Sequence, residues 1–160
     1  MRLTAITAAL ALMAGAANAD STVAPTSVSF DEYGAVEASL TGAPGDAANG
    51  KKIMTIRGKG NCIACHEVSA LKDSPFHGEV GPMLDGIGEV RTAAELRGIV
   101  VNAKMTFPES VMPGFYKTTG FIRPGNGYTG KAAKEEDLTP ILTAQEVEDV
   151  VAYLLTLTDS

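Results

Sequence analysis

Asn61-Cys62-Ile63-Ala64-Cys65-His66 is the stretch on which the reading of the whole chain turns. Cys62 to His66 spell C-x-x-C-H, the attachment signature of a c-type haem. One helical turn brings both thiols to one face, where each can form a thioether with a haem vinyl group. His66 then falls beneath the iron as proximal ligand. Other uses of these residues fit less well. A C-x-x-C redox dithiol belongs in a βαβ setting, and the flanks here are Gly-rich and helical. A structural disulfide has no need of His66. A zinc site needs four ligands, and the chain holds two Cys and two His. One motif predicts one covalently attached haem c.

Upstream of the motif the chain begins like an export signal. Arg2, an apolar stretch over residues 3–16 and the A-x-A site Ala17-Asn18-Ala19 predict a signal peptide over residues 1–19. Ala14-Gly15-Ala16 is a second cleavage candidate. The expected compartment is the periplasm, where covalent attachment keeps the cofactor from being lost to dilution. The apolar stretch is too short to span a membrane comfortably. No later run approaches roughly 18 apolar residues, so no membrane span is expected after cleavage. The 160-residue chain carries 13 Lys+Arg against 19 Asp+Glu, a formal net charge of −6. That balance argues against nucleic-acid binding, which needs a basic face. Hydrophobic residues make up 45%, as in an ordinary globular domain, but aromatics are only 6% and Trp is absent. Such a core gains from a cofactor to pack around.

The elements on either side are helical. Residues 20–45, rich in Ser, Thr, Ala, Pro and Gly, read as an extended N-terminal arm, with a disordered linker as the alternative. Residues 46–160 read as one domain. Asp46 caps a helix expected to reach about Arg57, with Ile53 and Ile56 inward. Thr92-Ala93-Ala94-Glu95 is a capping box that opens a second helix, with Leu96, Ile99 and Val100 as its apolar stripe. Thr143-Ala144-Gln145-Glu146 opens the last helix, where Val147, Val150, Val151, Leu154 and Leu155 form one apolar face. Glu146, Glu148 and Asp149 suit the positive end of its dipole. Tyr153 and this helix are expected to cross the first near Gly58 or Gly60. The fold class is mostly α: short helices joined by long Gly/Pro loops around one haem.

The second axial ligand has four candidates: His77, Met83, Met105 and Met112. Met/His ligation raises the potential of an electron carrier. Met112 is favoured, because Val111-Met112-Pro113-Gly114-Phe115 is a rigid loop between two helices. Met83 follows His66 closely and falls on the proximal side. Met105 could fill a core gap. His77 lies too near His66 to reach the opposite face, and its plainer reading is an exposed side chain. The Gly81-Pro82 turn is placed to offer the Pro82 carbonyl to His66, fixing its tautomer. Arg91 or Arg97 could meet a haem propionate.

The order helix, C-x-x-C-H, Gly-Pro loop, middle helix, Met-Pro loop and amphipathic last helix resembles a class I cytochrome c. A narrower set of segments is similar to the SoxX family. They are residues 60–66 and 76–82, Leu96-Arg97-Gly98-Ile99-Val100, residues 107–117, Gly120-Phe121-Ile122-Arg123-Pro124 and residues 142–154. SoxX is the monohaem subunit of the SoxAX cytochrome (L-cysteine S-thiosulfotransferase) of thiosulfate oxidation. The resemblance implies His66 and Met112 as iron ligands and a SoxA-like dihaem or monohaem cytochrome as partner. It implies a SoxYZ carrier, to whose cysteine thiosulfate is oxidatively joined, and a small cytochrome c as electron acceptor. Both cysteines of this chain are consumed by thioethers, so it offers no nucleophile and the sulfur chemistry is expected on the partner. The alternative is a free-standing periplasmic cytochrome shuttling electrons.

Overall fold

The computed structural model describes residues 22–122, 124–125 and 129–158. The signal peptide expected over residues 1–19, Asp20 and Arg123 lie outside them. Among the described residues there are four α-helices and no strand. We label them α1 (Ala47–Ile53), α2 (Ile87–Val90), α3 (Ala93–Asn102) and α4 (Ala144–Leu154). Short 3₁₀ turns, including Cys62–Ala64 and Ala103–Met105, punctuate the connecting loops. The helices form because their ends are satisfied. Asp46 accepts from the Ala48 and Asn49 amides. Thr92 with Glu95, and Thr143 with Glu146, close two full capping boxes. The amide of Thr92 and the Arg91 guanidinium hold the Glu95 carboxyl below its usual range. Burial works to raise that of Glu146, but bonds from Lys59 and Thr143 outweigh it and lower it.

Helix α4 is the hub, packing on both α1 and α3. Val147, Val150, Val151, Tyr153 and Leu154 are buried, as the pattern predicts, whereas Leu155 sits past the helix end and is 36% exposed. The crossing with α1 lies eight to ten residues earlier than expected. Gly50 is the close approach: a Cβ there would stand 2.0 Å from the Asp149 carbonyl oxygen. Gly45 meets the Glu148 carbonyl in the same way, while Gly58 faces open space. The first helix is also shorter than predicted. It stops at Ile53, and Ile56 is 46% exposed, because the carbonyls of Ile53 and Met54 accept the amides of Asn61 and Ile63 instead of prolonging the helix.

The segment before α1 is built into the domain. Leu40 is fully buried and Val36 nearly so. Val36 N donates to the Ala94 carbonyl, and the Tyr116 hydroxyl donates to the Val23 carbonyl. This covering explains α3, whose buried set includes Ala94, Arg97, Gly98 and Val101 beside the expected Leu96 and Val100. A Cβ on Gly98 would meet the Gly34 carbonyl at 2.0 Å. Arg97 is therefore not a surface cation free for a propionate. It pairs with Glu148 at 2.8 and 3.0 Å and donates to the Val36 carbonyl at 2.7 Å.

The Gly50 crossing is directly testable. Gly50→Ala should cost about 2–3 kcal/mol in denaturant unfolding of the holoprotein, since backbone, not a flexible side-chain end, blocks the new methyl. Gly58→Ala should change stability by less than about 0.5 kcal/mol. Equal effects would place the crossing elsewhere.

Candidate haem-binding site

The cysteine motif is shaped by its attachment to α1. Asn61 takes the left-handed conformation (φ 46), which Asn tolerates better than most residues, and turns the chain into the Cys62–Ala64 turn. The amides of Cys65 and His66 both donate to the Cys62 carbonyl, at 3.1 and 2.9 Å. The turn thus sets Cys62, Cys65 and His66 in close succession. The thiols are not bonded to each other. Cys65 is exposed, while burial pushes the Cys62 thiol up to about 12.

A second loop lies flat on the motif. Gly78 N donates to the Ile63 carbonyl at 2.8 Å, and Gly81 N to the Cys65 carbonyl at 2.7 Å. Both glycines are required by contact. A Cβ on Gly78 would fall 2.0 Å from the Ala64 carbonyl, and one on Gly81 2.3 Å from Cε1 of His66. The imidazole is thereby backed by bare backbone, and its Nδ1 stands 2.6 Å from the Pro82 carbonyl. A carbonyl only accepts, so Nδ1 donates and Nε2 keeps its lone pair. The sequence reading picked out the Pro82 carbonyl and missed the role of Gly81. A glycine directly before that proline was the available signal.

The Met112 loop hangs from the end of α3. Phe115 N and Tyr116 N donate to the carbonyls of Val100 and Val101, closing the end of α3. The Lys104 ammonium donates to the Ser110 carbonyl, and Ser110 Oγ accepts from Met112 N at 3.2 Å. Met112 is half-buried and packs against the core. Met83 and Met105 are 51% and 48% exposed, so Met105 fills no core gap. His77 is not simply exposed. Its ring is half-buried and bonded to the backbone at Val68 and Leu71. Arg91 pairs with Glu95 at 2.9 Å on the surface.

This donor set fits a covalently held haem. It offers two separate thiols, one imidazole nitrogen with a free lone pair, and a thioether on a separate loop. Among the described residues no group of three His, Cys, Asp or Glu could hold a bare metal ion. A cavity of about 350 Å³ beside Tyr33, Arg91 and Met105 is not lined by either cysteine.

A family model described as cytochrome c matches residues 47–158. The chain belongs to the cytochrome c family. Its cofactor is accordingly one haem c, covalently bound through Cys62 and Cys65. The chain is also similar to one in a solved structure described as the crystal structure of SoxXA from P. pantotrophus. The two are 57% identical with a TM-score of 0.81, over 85% of this chain and 98% of the other. No curated protein sequence matched.

Gly81→Ala checks the cradle beneath His66. The added methyl must displace the ring or the loop, so the midpoint potential of the holoprotein should shift by on the order of 60 mV, a tenfold change for a one-electron couple. An unaltered potential and visible spectrum would show that the ring does not depend on this contact.

Proposed function

We propose that this chain is the electron-accepting monohaem subunit of a SoxXA-type cytochrome in thiosulfate oxidation. The observation that carries the reading is the 57% identity across nearly the whole length of a SoxXA chain. The bound haem c supplies a reversible one-electron centre. Cys62 and Cys65 tether it. His66 and Met112 would hold its iron, and the Pro82 carbonyl keeps Nδ1 of His66 protonated so that Nε2 is the ring nitrogen left free to bind. No further cysteine exists in the chain, so joining thiosulfate to a SoxYZ cysteine takes place on a SoxA-like partner. The electrons released enter this subunit and leave to a small cytochrome c. Residues 1–19 direct export to the periplasm. No described helix is long and apolar enough to cross a membrane.

Met112→Ala should lower the midpoint potential by more than about 60 mV and open the ferrous iron to carbon monoxide. An unchanged potential and no carbon monoxide spectrum would exclude Met112 as a ligand.

Co-purification tests the assignment as a whole. The C-terminus is tagged, the source organism is grown on thiosulfate, and the proteins retained with the haem protein are identified by mass spectrometry. A stoichiometric second cytochrome is expected, carrying a cysteine near its haem. Recovery of a lone monohaem protein would favour the free-standing shuttle.

A further inference from the structure

The chain between His66 and Pro82 must double back, since the two residues meet at 2.6 Å. Main-chain bonds fasten much of this hairpin-like loop: Gly78 to Ile63, Gly81 to Cys65, and Leu84 to Glu67. Two side chains add to them. Asp85 accepts from Ser69 N at 2.9 Å near the mouth of the loop. His77 spans its interior. Val68 N donates to Nδ1 of His77 at 3.2 Å, and Nε2 lies 3.2 Å from the Leu71 carbonyl.

These partners assign the ring. An amide can only donate, so Nδ1 must be bare. A carbonyl can only accept, so Nε2 must carry the hydrogen. The loop therefore selects the neutral Nε2–H tautomer. Its two anchor points are firm, because Val68 is fully buried and Leu71 is 4% exposed. The neighbouring backbone is bent to bring the ring there. Phe76 takes φ +66, a conformation costly for an aromatic residue, yet its side chain is 88% exposed and gains no packing in return. A cavity of about 290 Å³ lies alongside, lined by Glu67, Val68, Ser69, Lys72 and His77. It leaves room for water to replace a missing ring.

We propose that His77 is a positioning residue for the haem iron's histidine. As the neutral Nε2–H tautomer it pins the outgoing limb of the loop to the returning limb, and so holds the Pro82 carbonyl against Nδ1 of His66. The proposal rests on the reading of His66 as the proximal ligand.

The test is NMR of the ferrous, diamagnetic holoprotein with ¹⁵N-labelled histidine. The wild-type His77 ring should show a protonated Nε2 and a bare Nδ1 at neutral pH. Exchange of the His66 Nδ1–H with solvent should accelerate about tenfold in His77→Ala, the effect of losing about one hydrogen bond's worth of loop stability. His77→Asn should restore protection, because its Oδ1 can accept from Val68 N. A His77 ring protonated at Nδ1, or an exchange rate in His77→Ala within about twofold of wild type, would overturn the proposal. Should His77→Ala yield no holoprotein, the wild-type tautomer and the Asn variant decide it. A wild-type His66 ring without haem-induced shifts would instead defeat the ligand assignment, so the two failures are distinguishable.

Discussion

Two adjacent acids on α4, Glu148 and Asp149, are almost completely buried, and the fold is arranged around satisfying them. They are 5% and 3% exposed. Buried carboxyl groups are tolerated only when their oxygens are engaged. Glu148 accepts from Arg97 twice and from Leu40 N, joining α3, α4 and the N-terminal segment. Asp149 accepts from Asp46 N, Asn49 Nδ2 and Gln145 Nε2, joining α4 to the start of α1. Hydrophobic contact alone would let these short helices slide. The directional bonds fix their register.

The same network explains which parts were legible in the sequence. Capping boxes at Thr92 and Thr143 are local, so their four-residue patterns sufficed. The C-x-x-C-H motif was legible for the same reason. The Val147–Leu154 stripe could be read because α4 has one clear apolar face. What escaped notice involved distant segments. Arg97, Glu148 and Asp149 look like surface charges when each helix is taken alone. Only the wrapping of residues 22–45 over α3 turns Arg97 inward. Gly50 was overlooked in favour of Gly58 and Gly60 for a related reason. All three are small, and nothing local says which one faces the Asp149 carbonyl.

The boundary drawn at residue 45 is also a matter of distance. Residues 20–45 lack a helical period, and a segment without one reads as an arm. Its order comes from partners far along the chain: Ala94 for Val36, Glu148 for Leu40, Tyr116 for Val23. A Ser/Thr/Gly-rich composition is compatible with a fixed structure when the rest of the domain supplies hydrogen-bond partners.

The helices in turn set the spacing of the site. The last carbonyls of α1 accept the amides that begin the cysteine motif, and the last carbonyls of α3 accept those that follow Met112. Each ligand loop is thus an extension of one helix end. The placement of the His66 and Met112 loops then follows from how α1 and α3 pack on α4, which Glu148 and Asp149 help to fix. A chain with few aromatic residues and short helices can in this way hold the two proposed ligand loops in fixed positions. The rigidity required of an electron-transfer centre comes from buried polar bonds as much as from the apolar core.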